Sequence, residues 1–370
     1  MPVYYISEKD IYFDQQEGGD KMPSYDESHY DQGISRKENK DGTYSYTYNN
    51  SKKEVNKEDL ERIKSLRIPG TWKNVWINQD PKYRLQVIGI DPHKKKQYIY
   101  TKEHKDKKKD QKYKTLEKLI GLIGKINNVL SEHQKLPKYD KNRVLSTMLK
   151  IIMITGIRAG KEFYAKRNNT YGLCSLRKKH ISFNDSKKEV IFKFKGKKDV
   201  IHSHTVLLDS VMYQELKDLH KLYLDKTLKD EDKLFNYMEN DETVKLNEFD
   251  LNDYIHNNID KSIVIKDFRT YLVNFLYIQN LVNNTNIIFK SKDEKSIKKI
   301  KEIIKLSVKQ TADYIQHTPN ICKTSYIYDY ITEFYKNNVD YFIDNKNKKI
   351  FDILKDIMAK KNKKVNQQIY

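Results

Sequence analysis

The chain has 370 residues and carries 71 Lys and Arg against 51 Asp and Glu, a net charge of +20 that draws it to polyanions and makes nucleic acid the first expected partner. Its two cysteines, Cys174 and Cys322, stand far apart without metal-ligand spacing, which argues against a zinc site or a disulfide framework and fits a reducing intracellular compartment. The opening MPVYYISEKD lacks a basic-then-apolar leader and apolar runs such as Ile151 to Ile154 are far too short to cross a bilayer, so a soluble protein with no membrane partner is expected.

Residues 3 to 14 read as two short strands around a Glu8-Lys9-Asp10 turn. The polar stretch from Gln15 to Lys57 has few aliphatics, apart from an alternation of Thr, Ser and Tyr at Thr43 to Tyr48, and reads as a long mobile insertion. A short helix is expected over Asp59 to Leu66. Val75 to Ile77, Leu85 to Ile90 and Gln97 to Tyr100 are strand-like, with Asp80-Pro81 and Asp91-Pro92 turns between them. The last of these strands would display Gln97, Tyr98 and Tyr100 beside Lys94 to Lys96. Amides and hydroxyls can read base edges while lysines hold phosphates, but an ordinary edge strand with a solvated turn explains the same residues equally well. Residues 1 to 101 therefore form a small β-rich domain in this reading.

Lys102 to Lys112, almost wholly charged and without an apolar residue, reads as a basic linker between domains. Apolar residues at helical spacing then predict a helix over Tyr113 to Leu130 and a more apolar one over Val144 to Ile157. The second delivers Arg158 into a glycine-bearing turn with Lys161 and Lys166. Three short strands follow at His180 to Phe183, Val190 to Phe194 and Val200 to Leu208, with Lys197 at a hairpin tip. Helices resume at Val211 to Leu228, Leu246 to Asn257, Thr270 to Leu281, Ser296 to Ser307 and Thr311 to Gln316. Another starts near Thr324, with Tyr326 at the margin of its apolar stripe, and a closing helix spans Lys349 to Met358 before a basic tail at 359 to 370. The fold class is thus α+β: a β-rich N-terminal domain, then a mainly helical domain at 113 to 358 with a short three-stranded sheet.

Candidate chemistry gathers in QTADYIQHTPNICKTSYIYDY, where His317 stands nine residues before Tyr326. A tyrosine hydroxyl can attack a phosphodiester if fixed cations and a hydrogen-bond donor hold the phosphate oxygens. With 28 tyrosines in the chain, that spacing alone is weak. Singly, Arg158 reads as a surface ion pair, Lys197 as a turn lysine, Arg269 as a buried partner of Asp267 or another acid, and His317 as a cap-region histidine.

In order, however, GIRAGKEFYAKRNNTYGLCSLRKKHI, FKFKGKKDV, IKDFRTY and QHTPNICKTSY resemble the type IB DNA topoisomerases of the poxvirus type. The resemblance runs back through RIPGTWKNVW and KKQYIYTKEH, covering about residues 67 to 335, with a fainter match at VYYISEKDIYFD. It implies the catalytic fold shared by these enzymes and tyrosine recombinases, with relaxation of supercoiled duplex DNA through a 3′-phosphotyrosine at Tyr326. Arg158 and Arg269 match the arginines that clamp the scissile phosphate, His317 the donor to a non-bridging oxygen, and Lys197 the general acid on the leaving 5′ oxygen. Gln97, Tyr98 and Tyr100 match a major-groove contact strand, and Lys161 and Tyr164 fall where family members touch DNA. A monomer clamping the duplex is implied, and a viral relative of this kind would work in the virion and at the cytoplasmic replication site. No cofactor is expected, since neither carboxylates at metal-binding spacing nor a Walker-type phosphate loop is evident.

The pattern departs from the family at Gln316, where glycine is usual, and the 15 to 57 segment reads as an insertion relative to the compact poxvirus form. Two alternatives stay open at this level. One is a tyrosine recombinase or integrase, although these generally have histidine where this chain has Lys266 and a helical arm. The other is a non-enzymatic basic DNA-binding protein.

Overall fold

The computed structural model describes residues 32–222, 231–289 and 296–367, which divide into two compact units, one up to Gln111 and one from Lys112 onward. The expected strands at 3 to 14, the first part of the expected insertion and the end of the expected 211 to 228 helix lie outside the described residues.

The first unit is a five-stranded antiparallel sheet in the order β2-β1-β3-β4-β5, with β1 at Gly33–Glu38, β2 at Tyr44–Tyr48, β3 at Lys73–Asn78, β4 at Leu85–Ile90 and β5 at Lys96–Tyr100. Helix α1, Lys57–Ser65, starts where the Asn56 side chain accepts the Asp59 amide and buries Ile63 against Ile34, Val75, Ile77 and Val87.

This corrects the reading of 15 to 57 as a mobile insertion. From Gly33 on, that stretch supplies two strands of the sheet, and Ile34 is fully buried between Tyr48 and Ile77 in the register. The polar look of YSYTY misled because tyrosine packs its ring while its hydroxyl finds a partner: Tyr46 and Tyr48 join the core, and the Tyr48 hydroxyl reaches Asp59 at 2.6 Å.

The 102 to 112 stretch, which closes the first unit at Gln111, is not an extended linker. It forms the first turns of α2, Lys102–His133, a single helix of 32 residues. Lysine, glutamate and glutamine are good helix formers, and once the apolar part from Tyr113 is nucleated each added residue gains a bond without needing an apolar face.

Helix α3, Lys141–Thr155, is buried along much of its length. After α4, Glu162–Asn168, come β6 (Ile181–Asn184), β7 (Glu189–Lys195) and β8 (Ile201–Leu207), an antiparallel sheet with β8 on its edge. Then come α5, Ser210–Lys221, a two-stranded ribbon of β9 (Asn236–Glu239) and β10 (Glu242–Lys245), and α6, Glu248–Asn258. That ribbon was not anticipated, although Asn240 and Asp241, both at positive φ, are the residues a tight hairpin turn prefers.

The organising element is α7, Ile265–Ile288, longer at both ends than the expected 270 to 281 and in contact with α3 and most later helices. Its polar residues disguised its burial. Asn280 bonds Thr311, Asn284 bonds Ser307 and Gln310, and Thr285 bonds Tyr335, so each is satisfied inside the core. Residues 296 to 316 form one helix, α8 (Ile297–Tyr314), rather than two.

The helix expected to start near Thr324 is instead two, α9 (Pro319–Ser325) and α10 (Asp329–Asn337), with Tyr326 at the break. α11 (Val339–Asp344) and α12 (Ile350–Gln367) close the described chain, so the expected basic tail is helical as far as it is described. No helix among the described residues is long and apolar enough to cross a membrane.

Candidate active site

Arg158 is placed by backbone. Helix α3 ends at Gly156, whose φ of 64° turns the chain in the left-handed region that glycine adopts without strain. The next turn is pinned by two bonds, from the Leu173 amide to the Arg158 carbonyl (2.8 Å) and from the Cys174 amide to the Ala159 carbonyl (2.6 Å). Gly160 and Gly172 meet backbone to backbone here, and a Cβ on Gly160 would lie 2.5 Å from the Gly172 backbone. The guanidinium therefore leaves the core from a fixed point.

Arg269 lies on the first turns of α7 and is only 4% exposed. It does not pair with Asp267, whose Oδ2 accepts the Val264 amide at the start of the helix (2.9 Å). One of its NH2 contacts is the Ile315 carbonyl, at 3.2 Å. Burial pulls this guanidinium down to about 10, an effect the Tyr326 phenol partly offsets and the like charge of Arg158 reinforces. A guanidinium stays charged at neutral pH even so.

His317 is held by the end of α8. The His317 amide bonds the Ala312 carbonyl (2.8 Å) and the Gln316 amide the Asp313 carbonyl (3.1 Å), with Gln316 at φ 54°, which is the Schellman termination. The imidazole Nε2 then stands 2.5 Å from NH2 of Arg158 and 2.7 Å from NH2 of Arg269. A guanidinium only donates, so Nε2 accepts from both and the proton of the neutral ring sits on Nδ1, a buried atom without a partner. Burial first, then the charges of Arg269 and Arg158, holds the ring down at about 3.

Tyr326 completes the group. Its ring centroid is 5.2 Å from that of His317 and 5.5 Å from the Arg269 guanidinium carbon. Sequence reasoning missed what holds it. Asn274, fully buried on α7, donates to the Tyr326 carbonyl (3.0 Å) and accepts the Tyr328 amide (2.8 Å), fixing the break between α9 and α10. An asparagine in a predicted apolar helix was the available signal. Lys112 also went unnoticed: its ammonium donates to the Ser325 carbonyl and stands 5.8 Å from the Tyr326 ring.

Arg158, Arg269, His317 and Tyr326 are thus brought together. Lys197 is in the turn between β7 and β8, exposed, and no hydrogen bond or ion pair to its ammonium occurs among the described residues. Lys195 and Asp199 pair across that turn at 2.8 Å. Tyr164 is 45% exposed on α4, one turn beyond its N-cap Lys161.

In the first unit, Gln97, Tyr98 and Tyr100 do not share a face, because side chains alternate along a strand. Tyr98 and Tyr100 pack beside Trp76, Leu85 and Ile88, whereas Gln97 points the other way with Ile99 and its amide bonds Asp91 (2.8 Å). Among the described residues no group of three or more His, Cys, Asp or Glu is placed to hold a metal.

Four histidines, His180, His202, His204 and His317, are pushed down to between about 3 and about 4, burial being the largest cause for each. Each binds a proton more readily when unfolded, so their contribution to stability is complete above about pH 6.5 and is lost as pH falls toward 4. Thermal melting should therefore drop by more than about 5 °C between pH 7 and pH 5. His204→Phe, which keeps the stack on Phe194, should make that drop smaller. An unchanged slope in that variant would show that carboxylates carry it instead.

Two arginines, a histidine and a tyrosine thus meet at one point, and the comparisons with known proteins give the family of the chain that holds them. Residues 101–349 match the model of the eukaryotic DNA topoisomerase I catalytic core, and residues 43–91 match the bacterial DNA topoisomerase IB N-terminal domain. The chain belongs to the type IB DNA topoisomerase family, and it is an enzyme of that type acting on double-stranded DNA.

It is 37% identical to DNA topoisomerase 1B of Acanthamoeba polyphaga mimivirus over 347 residues, 92% of this chain and 99% of the relative. It is 31% identical to DNA topoisomerase 1B of Vaccinia virus (strain Copenhagen) over 269 residues, 73% of this chain and 77% of the relative. DNA topoisomerase 1 of Drosophila melanogaster is 26% identical over 205 residues, 54% of this chain but 19% of that protein.

Proposed function

We propose that this enzyme relaxes supercoiled duplex DNA by cutting one strand through Tyr326, letting the duplex swivel, and resealing, without metal or ATP. The observation that carries the reading is the convergence of Arg158 and Arg269 on one acceptor, His317 Nε2, beside the Tyr326 ring. A point on which two guanidiniums converge is where an anionic oxygen is best stabilised, and a phosphate oxygen competes for it with advantage of charge.

In the proposed step the Tyr326 oxygen forms a bond to phosphorus as it gives up its proton to solvent water, and the bond from phosphorus to the 5′ oxygen breaks. The arginines and His317 neutralise the phosphoryl oxygens, and Lys197 delivers a proton to the departing 5′ oxygen. The 3′-phosphotyrosine conserves the bond, so the 5′ hydroxyl can reverse the step once the strand has swivelled. For His317 to donate, its tautomer must change or the ring must take a proton, and the phosphate's negative charge favours the latter by raising the imidazole from its resting value. Gln97, Tyr98, Tyr100, Lys161 and Tyr164 are proposed to touch the DNA, the enzyme to act as a monomer, and its two buried free thiols to belong in a reducing intracellular compartment.

The test is relaxation of a supercoiled plasmid by monomeric protein in EDTA without ATP, with the covalent adduct mapped to Tyr326 and to a 3′ phosphate. Dependence on a synapsed pair of sites would make it a recombinase. Binding without cleavage would leave a DNA-packaging protein. For the acid, Lys197→Ala should slow cleavage of ordinary DNA about 100-fold or more, yet far less on a substrate whose 5′-bridging atom is sulfur, which leaves without a proton. Equal slowing on both substrates would remove Lys197 from that role.

A further inference from the structure

Gln316 occupies a position that should be glycine. It is the left-handed residue of the Schellman termination that presents His317, and a side chain there is strained by about 1 kcal/mol relative to glycine. The structure contains a compensating contact. The Gln316 carboxamide accepts the Ser203 amide through Oε1 at 2.9 Å and donates to the Ser203 carbonyl through Nε2 at 2.5 Å.

The location of that contact gives it meaning. Among the described residues, strand β8 pairs with β7 on one side and with no strand on the other, so the backbone groups of Ser203 that face outward lie on a sheet edge. The carboxamide supplies one donor and one acceptor and pairs with that edge as a peptide group would. The hairpin so gripped is the one whose turn carries Lys197, six residues before Ser203, and the gripping residue adjoins His317. The Tyr171 amide also bonds the Lys195 carbonyl (2.7 Å), tying the β7 end of the turn to the segment beside the Arg158 loop, and the Gln316 contact adds a tie to the His317 segment.

We propose that Gln316 is a positioning residue that braces the Lys197 hairpin against the His317 segment, so that the acid and the phosphate clamp are held in one geometry. The proposal rests on Lys197 acting in cleavage. A glycine at this position would relieve the backbone and leave the hairpin freer, so this chain trades a little strain for a more ordered site. The brace acts on kcat for cleavage and not on DNA affinity, because neither hydrogen bond involves a group that faces the duplex in the proposed step.

The experiment is a double-mutant cycle in single-turnover cleavage. Gln316→Gly removes both bonds but relieves the left-handed backbone, so the variant should fold and melt near the parent temperature. It should cleave about tenfold more slowly, the effect of two modest hydrogen bonds, with DNA affinity unchanged. In a Lys197→Ala background the same substitution should have almost no further effect. Amide exchange at Ser203 should speed up in Gln316→Gly while the β7–β8 ladder amides keep their protection. Gln316→Glu, which keeps the acceptor and loses the donor, should not restore the parent rate.

Losses that multiply in the double variant, or an unchanged cleavage rate in Gln316→Gly, would overturn the brace. Failure of the acid reading is seen separately, in Lys197→Ala itself: its slowing would be the same on oxygen-bridged and sulfur-bridged substrates, whatever Gln316→Gly does.

Discussion

Tyr326→Phe will reduce strand cleavage to background while leaving DNA affinity nearly unchanged, measured as adduct on a denaturing gel and as binding of the same duplex. The substitution removes one oxygen atom and keeps the ring that stands over the Arg269 guanidinium and beside His317. The clamp therefore survives and only the nucleophile is lost.

Tyr328 is the next tyrosine in sequence and the obvious substitute, but it is 3% exposed, with its ring centroid 3.6 Å from that of Tyr113 and the Lys361 ammonium above it. Its oxygen has no path to a bound phosphate without undoing the Asn274 bonds at the α9–α10 break. Cleavage retained by Tyr326→Phe would mean that the nucleophile comes from elsewhere and that the convergence of the arginines has another purpose.

Arg269→Ala should slow single-turnover cleavage by a factor of about 10² to 10³, the usual consequence of removing one donor from a site that stabilises developing charge. Arg269→Lys should recover little of it. Arg269 reaches two acceptors at once, the Ile315 carbonyl and His317 Nε2, from a buried position on α7. Both bonds leave one nitrogen, NH2, so the rest of the planar fork remains to meet a phosphate, whereas an ammonium has a single nitrogen for every acceptor. The loss should appear in the cleavage rate more than in DNA affinity, since one buried cation contributes little to polyanion binding by a chain with a net charge of +20. Full activity in Arg269→Lys would show that charge alone matters and that the fork geometry does not.

The chain's periodicity was enough to find most elements of the second unit. The apolar helix that ends before Arg158 and the three strands that frame Lys197 are local patterns, and they recur within a few residues of their expected bounds. The candidate residues Arg158, Lys197, Arg269 and Tyr326 were readable only through the resemblance of their ordered motifs to type IB topoisomerases, since singly each had an ordinary explanation.

Other features depended on partners distant in the chain. The tyrosines of β2 look polar until Ile34 and α1 supply a core for their rings, and the charged start of α2 looks unstructured until the helix that follows it nucleates. The polar residues of α7 became core residues only when Thr311, Ser307 and Tyr335 arrived to bond them. The break at Tyr326 has no local cause strong enough to stand out, since it is enforced by Asn274, 52 residues earlier.

Local sequence records propensities, which are short-ranged and summed along the chain, so it could specify kinds of element, and the resemblance of ordered motifs could name candidate residues on them. The meeting of Arg158, Arg269 and His317 at a single imidazole nitrogen is a matter of long-range hydrogen bonds and burial. Those energies exist only when segments 48 and 159 residues apart have already packed.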